Sequence, residues 1–149
     1  MDQDPSLKIK KAIEESIKLK NLIIEKDIYK VLKEIGDLMV SSIIDGGKIM
    51  ICGNGGSAAD AQHLTAEFLI RLTSEVNRDG IPAISLVQDS STFTAAINDL
   101  DPKDLFKRNL KTLAKKQDIL LAISTSGNSD NILEALKAAK DIGIKSVGF

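Results

Sequence analysis

The chain has 149 residues, 43% of them apolar and 28% charged, with a formal charge of -1, which suits one globular domain able to bury a core without metals or disulfides. Near-neutrality removes the electrostatic case for nucleic acid, and one tyrosine with four phenylalanines offers no stacking platform. The lone cysteine, Cys52, excludes an internal disulfide, and no apolar run is long enough for export or membrane crossing, so the expected setting is the cytoplasm.

From Ser6 to Lys26, apolar residues recur mostly at helical spacing among lysines and glutamates. A second helix is predicted from Asp27, burying Ile28, Val31, Leu32, Ile35, Leu38 and Met39, with Gly46-Gly47 ending it. The apolar coverage of the first helix is wide, which predicts packing on another subunit. Lys48 to Cys52 then reads as a short buried strand, followed by Gly53-Asn54-Gly55-Gly56-Ser57 and a helix over Ala58 to Leu72. Ser57 is the expected cap, with Asp60 completing a weak capping box.

Thr73 to Pro82 is polar and turn-rich, Ala83 to Val87 reads as a second strand, and Ser90 to Asn98 suits helix or loop. Asn98 to Pro102 is predicted to be a turn. A helix over Asp104 to Lys116 turns Leu105, Phe106, Leu110 and Leu113 inward, and Asp118 to Ile123 forms a third strand. The polar loop Ser124-Thr125-Ser126-Gly127-Asn128-Ser129 leads into a helix stopped by Gly143, and Lys145 to Phe149 begins a fourth strand. Apolar strands alternating with helices predict a parallel sheet covered on both faces, an α/β fold with a helical N-terminal extension. Residues 1-46 are the expected helical part and 47-149 the α/β core of one domain.

Both special loops follow strands, at the end of the sheet where ligands bind in such folds. In the first, glycines admit positive φ and close approach of a ligand, and the helix behind it presents N-H groups to an anion. In the second, the hydroxyls of Ser124, Thr125, Ser126 and Ser129 surround a glycine at a helix start, a setting for phosphate without lysine. His63, Glu67 and Arg71 follow at i, i+4 and i+8, along one helix face. They suit a metal ligand, a carboxylate base and an anion-binding arginine; the same spacing also suits a solvated face with a Glu67 to Arg71 ion pair. Gly53-x-Gly55-x-x-Ala58 fits a relaxed dinucleotide fingerprint, but Asp89 follows it by about thirty residues where about twenty is usual. No Gly-Lys-Ser/Thr follows the glycines, so a P-loop is excluded.

Cys-Gly-Asn-Gly-Gly-Ser at 52 to 57, Asp60, His63 with Glu67, Asn98-Asp99 and Ser-Thr-Ser-Gly-Asn-Ser at 124 to 129 together resemble the sugar isomerase (SIS) superfamily, and within it the sedoheptulose 7-phosphate (phosphoheptose) isomerases. The resemblance implies a flavodoxin-like three-layer fold and a cytoplasmic homotetramer that makes a heptose 7-phosphate for surface glycans such as lipopolysaccharide. By matching position, it places Ser124, Thr125, Ser126 and Ser129 on the phosphate. Asn54, Gly55, Gly56, Ser57, Arg71, Asn98 and Asp99 are placed at the substrate. It makes His63 and Glu67 zinc ligands and Glu67 the catalytic base. The family pattern continues into a further strand and a helix whose Gln and His complete the metal site. His63 is the only histidine here, so the resemblance implies that a C-terminal part is missing. A non-catalytic SIS module that binds a sugar phosphate, or a protein such as the replication initiator, is the alternative.

Overall fold

The computed structural model describes residues 4-87 and 89-149. The chain divides into two compact units, one ending at Leu38 and the other running from Met39 to Phe149.

Helix α1 spans Pro5–Glu25, with Pro5 in its first turn and Asp4 as N-cap. The Asp4 carboxylate accepts from the Ser6 backbone N-H at 3.0 Å and from its hydroxyl at 2.7 Å, pairing donors that a helix start leaves free. Asp27 takes a left-handed φ of 56°, and α2 follows over Ile28–Ile44. Helical period located both helices, but burial departs from expectation. No residue of α1 is buried, Ile28, Val31 and Leu32 are exposed, and Ile35, Leu38 and Met39 are only half-buried. A period identifies an apolar face; it carries no information on what covers that face.

In the second unit four parallel strands, β1 (Ile49–Gly53), β2 (Ala83–Ser85), β3 (Ile119–Ile123) and β4 (Lys145–Gly148), lie in the order β2-β1-β3-β4. Strands β1 and β3 are buried along their whole lengths, which is why they read as unbroken apolar runs. Strand β2 is two residues shorter than its apolar run. Helices α3 (Gly56–Leu69), α4 (Ser90–Asp99), α5 (Leu105–Leu113) and α6 (Asp130–Ile142) connect and cover the strands.

Met50, Cys52, Leu120 and Ala122, one face of the two central strands, join Leu105, Phe106, Leu110, Ala135 and Ala139 of α5 and α6 in the main core. Helix α3 packs on β1, β2 and β3 and contributes nothing to that cluster, so it covers the opposite face, as right-handed crossovers require. The result is the three-layer α/β fold. Leu113 is exposed, against expectation, because α5 ends there and Ala114 is already extended. Gly143 closes α6 with φ 84°, the left-handed C-terminal position that favours glycine.

Candidate functional site

In the order β2-β1-β3-β4 the chain winds outward in one direction from β1 and in the other from β3, so the crevice lies between those two strands. Gly53, last residue of β1, pairs with Ile123, last residue of β3. The two special loops therefore leave the sheet side by side.

The turn after β1 is tighter than expected, with only Asn54 and Gly55 between strand and helix. Gly55 is the N-cap at φ 54° and ψ -118°, without a side-chain cap bond. Its carbonyl receives Ala58 N-H and Ala59 N-H at 3.1 and 3.2 Å. Ser57 is consequently not the cap; it lies inside the first turn and is buried. The glycines serve separate ends. Gly55 supplies the positive φ, whereas a Cβ on Gly53 would lie 2.4 Å from the Ser57 carbonyl oxygen, so its constraint is contact with protein rather than ligand. Gly56 opens onto free space, which leaves the start of α3 accessible to an anion.

In the second loop, Ser124 Oγ stands 3.5 Å from Ser126 Oγ and 3.4 Å from Ser129 Oγ. Gly127 at φ 66° turns the chain, and Asn128 donates its backbone N-H to Ser126 Oγ at 3.2 Å. Ser129 caps α6 without a side-chain bond, leaving its hydroxyl facing the others. Thr125 is exposed. Four hydroxyls at a helix start, with no cation among residues 124 to 129, form a neutral, donor-rich cradle suited to a phosphate.

Asn131, in the first turn of α6, was not singled out from the sequence. Its Nδ2 donates to Asn54 Oδ1 at 2.8 Å, and Asn54 Nδ2 donates to Asn131 Oδ1 at 2.8 Å. This reciprocal amide pair bridges the two loops across 77 residues of sequence. Only the fold brings them together.

On α3, His63 and Glu67 share a face as expected: His63 Nε2 lies 3.5 Å from Glu67 Oε1. The imidazole is 74% exposed, the Glu67 side chain 23%. Glu67 Oε2 is buried, and among the described residues it has no hydrogen-bond partner. Such an oxygen is costly to leave bare. Arg71 does not extend the stripe. Helix α3 ends at Leu69, and Ile70 turns away at φ -104° and ψ -83°, leaving Arg71 exposed in irregular chain.

The reason for the early end comes from downstream. Arg78 Nη2 donates to the Glu67 carbonyl at 2.6 Å and Nη1 to the Phe68 carbonyl at 2.8 Å. Ile81 N-H adds 2.9 Å to the same Phe68 oxygen, so the last carbonyls of α3 are taken by the returning chain.

Asn98 and Asp99 also differ from expectation. They are the last two residues of α4 rather than the start of a turn, with Asn98 Nδ2 donating to Asp99 Oδ1 at 2.7 Å. Asp99 lines a cavity of about 210 Å³ with Thr92, Leu100, Leu105, Arg108 and Asn109. Asp89, the carboxylate weighed for a dinucleotide ribose, instead caps α4. It accepts from Ser91 N-H at 2.9 Å and from the Thr92 hydroxyl at 2.5 Å, and these bonds hold it below the usual carboxylate range, the Thr92 bond foremost.

The SIS domain family matches residues 13-149. A phosphoheptose isomerase from Thermodesulfovibrio yellowstonii is 44% identical over 142 residues, covering 95% of this chain and 69% of that protein. One from Desulfovibrio desulfuricans is 50% identical over 118 residues, covering 79% of this chain and 55% of that one. The chain thus spans between about half and just over two thirds of the length of these curated relatives. Among solved structures, phosphoheptose isomerase GmhA from Neisseria gonorrhoeae superposes with a TM-score of 0.88 at 34% identity, covering 97% of this chain and 74% of that one. A phosphoheptose isomerase from Francisella tularensis gives 0.88 at 36% identity, with 98% and 75% covered. Fold, loops and relatives agree, and the chain belongs to the SIS domain family, on its phosphoheptose isomerase branch.

Proposed function

We propose that this site isomerises sedoheptulose 7-phosphate to D-glycero-D-manno-heptose 7-phosphate by proton transfer between C1 and C2 through an enediol, supplying an aldoheptose phosphate for surface glycans such as lipopolysaccharide. The observation that carries the reading is Glu67: a carboxylate on α3, the helix behind the first loop, with one oxygen buried and bare. In a folded core that arrangement costs stability. A base that must take a proton from substrate carbon needs an uncommitted oxygen, and a non-catalytic module has no use for one. The ketose is held by its phosphate at Ser124, Thr125, Ser126 and Ser129 and at the start of α6. Asn54, Gly55, Gly56 and Ser57 line the sugar end; Arg71, Asn98 and Asp99, which lie apart from the two loops, are assigned to the substrate by the family resemblance. Glu67 then removes a C1 proton to give the enediol, the O1 hydroxyl proton passes to O2, and returning the carbon proton to C2 completes the aldose.

Zinc suits the same pair in part. Two atoms bound to one tetrahedral zinc at about 2.1 Å lie about 3.4 Å apart, and His63 Nε2 and Glu67 Oε1 are 3.5 Å apart. Among the described residues no group of three such ligands occurs, so these two would supply part of a donor set. When bound, the ion would polarise the substrate oxygens as a Lewis acid. We place the protein in the cytoplasm as a homotetramer joined through the exposed apolar residues of α1, among them Ile9, Ile13 and Ile17. No described helix is long and apolar enough to cross a membrane.

Turnover of sedoheptulose 7-phosphate tests the activity, with equilibrium dialysis of zinc run alongside on the wild type and His63→Ala. Isomerisation that depends on Glu67 is the expected result. Binding of the sugar phosphate with no turnover, with or without zinc, would favour the non-catalytic module.

A further inference from the structure

We infer that Asn131 is a positioning residue for sugar recognition, holding the side chain of Asn54 in place toward the open-chain polyol of a sugar phosphate. The inference rests on the isomerase reading of the same site and adds a residue and a role to it. A free asparagine on an exposed loop samples both amide orientations, presenting donor and acceptor interchangeably. In the reciprocal pair each amide uses one N-H and one oxygen lone pair, at 2.8 Å in both directions. Turning one amide alone would set N-H against N-H and oxygen against oxygen, so the two orientations are fixed together. Asn54 keeps one N-H and one carbonyl lone pair free, on opposite flanks of its amide. The free N-H can give to one substrate oxygen while the free lone pair takes from a hydroxyl on the other flank.

The pair does little for the fold itself. Both loops are already anchored by the register of Gly53 with Ile123, Asn54 is exposed, and an exposed amide pair exchanges hydrogen bonds with water at small net gain. What it does fix is the geometry between the sugar-facing turn and the phosphate cradle, because Asn131 sits in the helix turn that Ser129 caps. Ordering Asn54 before the ligand arrives lowers the entropy lost on binding.

The test measures calorimetric binding of sedoheptulose 7-phosphate and of inorganic phosphate, together with urea unfolding, for the wild type, Asn131→Ala, Asn131→Asp, Asn54→Ala and the double alanine variant. Asn131→Ala is expected to weaken sugar phosphate binding about tenfold, the worth of one to two lost hydrogen bonds. Inorganic phosphate binding and the unfolding midpoint should stay within error. Asn131→Asp should weaken the sugar phosphate further, since it leaves Asn54 Oδ1 without its donor and adds a carboxylate beside Asp130. The double variant should be no weaker than Asn54→Ala, because the effect of Asn131 passes through Asn54. Additive losses, an equal loss of inorganic phosphate affinity, or a fall in stability matching the loss in binding would each overturn the inference. Wild-type protein that binds no sugar phosphate would overturn the isomerase reading and this inference with it. Tight wild-type binding that Asn131→Ala leaves unchanged would overturn this inference alone.

Discussion

Two carboxylates of the α/β core, Asp118 before β3 and Glu67 on α3, are treated in opposite ways. At the N-terminal ends of β1 and β3, Asp118 is 3% exposed and saturated. Oδ1 accepts from Lys48 N-H at 2.9 Å, while Oδ2 accepts from Lys115 N-H at 2.8 Å and from Lys48 Nζ at 2.5 Å. Nearby, the Ser42 hydroxyl donates to the Gln117 carbonyl at 2.5 Å, and a Cβ on Gly47 would lie 2.3 Å from that same oxygen. On α3 Glu67 has a bare buried oxygen, and beyond β3 the loop hydroxyls stand 3.4 to 3.5 Å apart, at the limit of bonding. A polar group that serves the fold is given all its partners; one that awaits a ligand keeps capacity in reserve.

The sharpest way to break the contrast is Glu67→Gln, nearly isosteric with the native side chain. Turnover should fall about 10² to 10⁴-fold, the usual worth of a positioned base, while the urea midpoint holds or rises. Lost stability with retained turnover would make Glu67 a structural group like Asp118.

Asp118→Ala should reverse the pattern. It strips two backbone N-H groups and a lysine of their acceptor, and breaking a buried pair typically costs about 3 to 5 kcal/mol. The lower end is expected, because the Lys48 side chain is 25% exposed and can reach water. Denaturant unfolding reads the loss, and protein that remains folded should keep its KM for the sugar phosphate.

Replacing Ser124 and Ser126 together by alanine should raise KM about tenfold, since each hydroxyl bond to a charged phosphate is worth about 1.5 kcal/mol or more and water recovers part of it. Stability should move by less than about 0.5 kcal/mol, because these hydroxyls are only loosely engaged with one another. A stability loss of the size expected for Asp118→Ala would mean that the loop is a structural knot.

How far each region could be read from sequence follows from the same distinction. Strands β1 and β3 were legible because burial on both faces demands continuous apolar residues, and their order places both polar loops at one crevice. The end of α3 was not legible, because Arg78 and Ile81, ten or more residues downstream, take its last carbonyls. That removed Arg71 from the helix stripe. Asn98 and Asp99 carry turn propensity, but α4 continues through them to Leu100, whose N-H still bonds Ala96, so tertiary setting outweighed local preference. The Asn54 and Asn131 pair had no local signal at all. Its partners are neighbours only because β1 lies beside β3.

Within the sheet sits Cys52, fully buried in β1, and it offers the mildest test. Burial alone raises its thiol from an ordinary 9.0 to about 12. The folded protein therefore keeps the thiol protonated over a range where the unfolded chain has lost its proton. Ionisation above the unfolded value favours the unfolded state, so the contribution of Cys52 is fully present below about pH 9 and drains away as pH rises toward about 12. By pH 9.5 the expected loss is about 0.8 kcal/mol relative to pH 8. To isolate the thiol, the quantity to measure is the difference between wild type and Cys52→Ala in urea at each pH. The gap between the two proteins should narrow steadily above pH 9. A gap independent of pH would mean that water reaches the middle of β1, and the contrast between a sealed sheet and an open crevice would then begin one residue before Gly53.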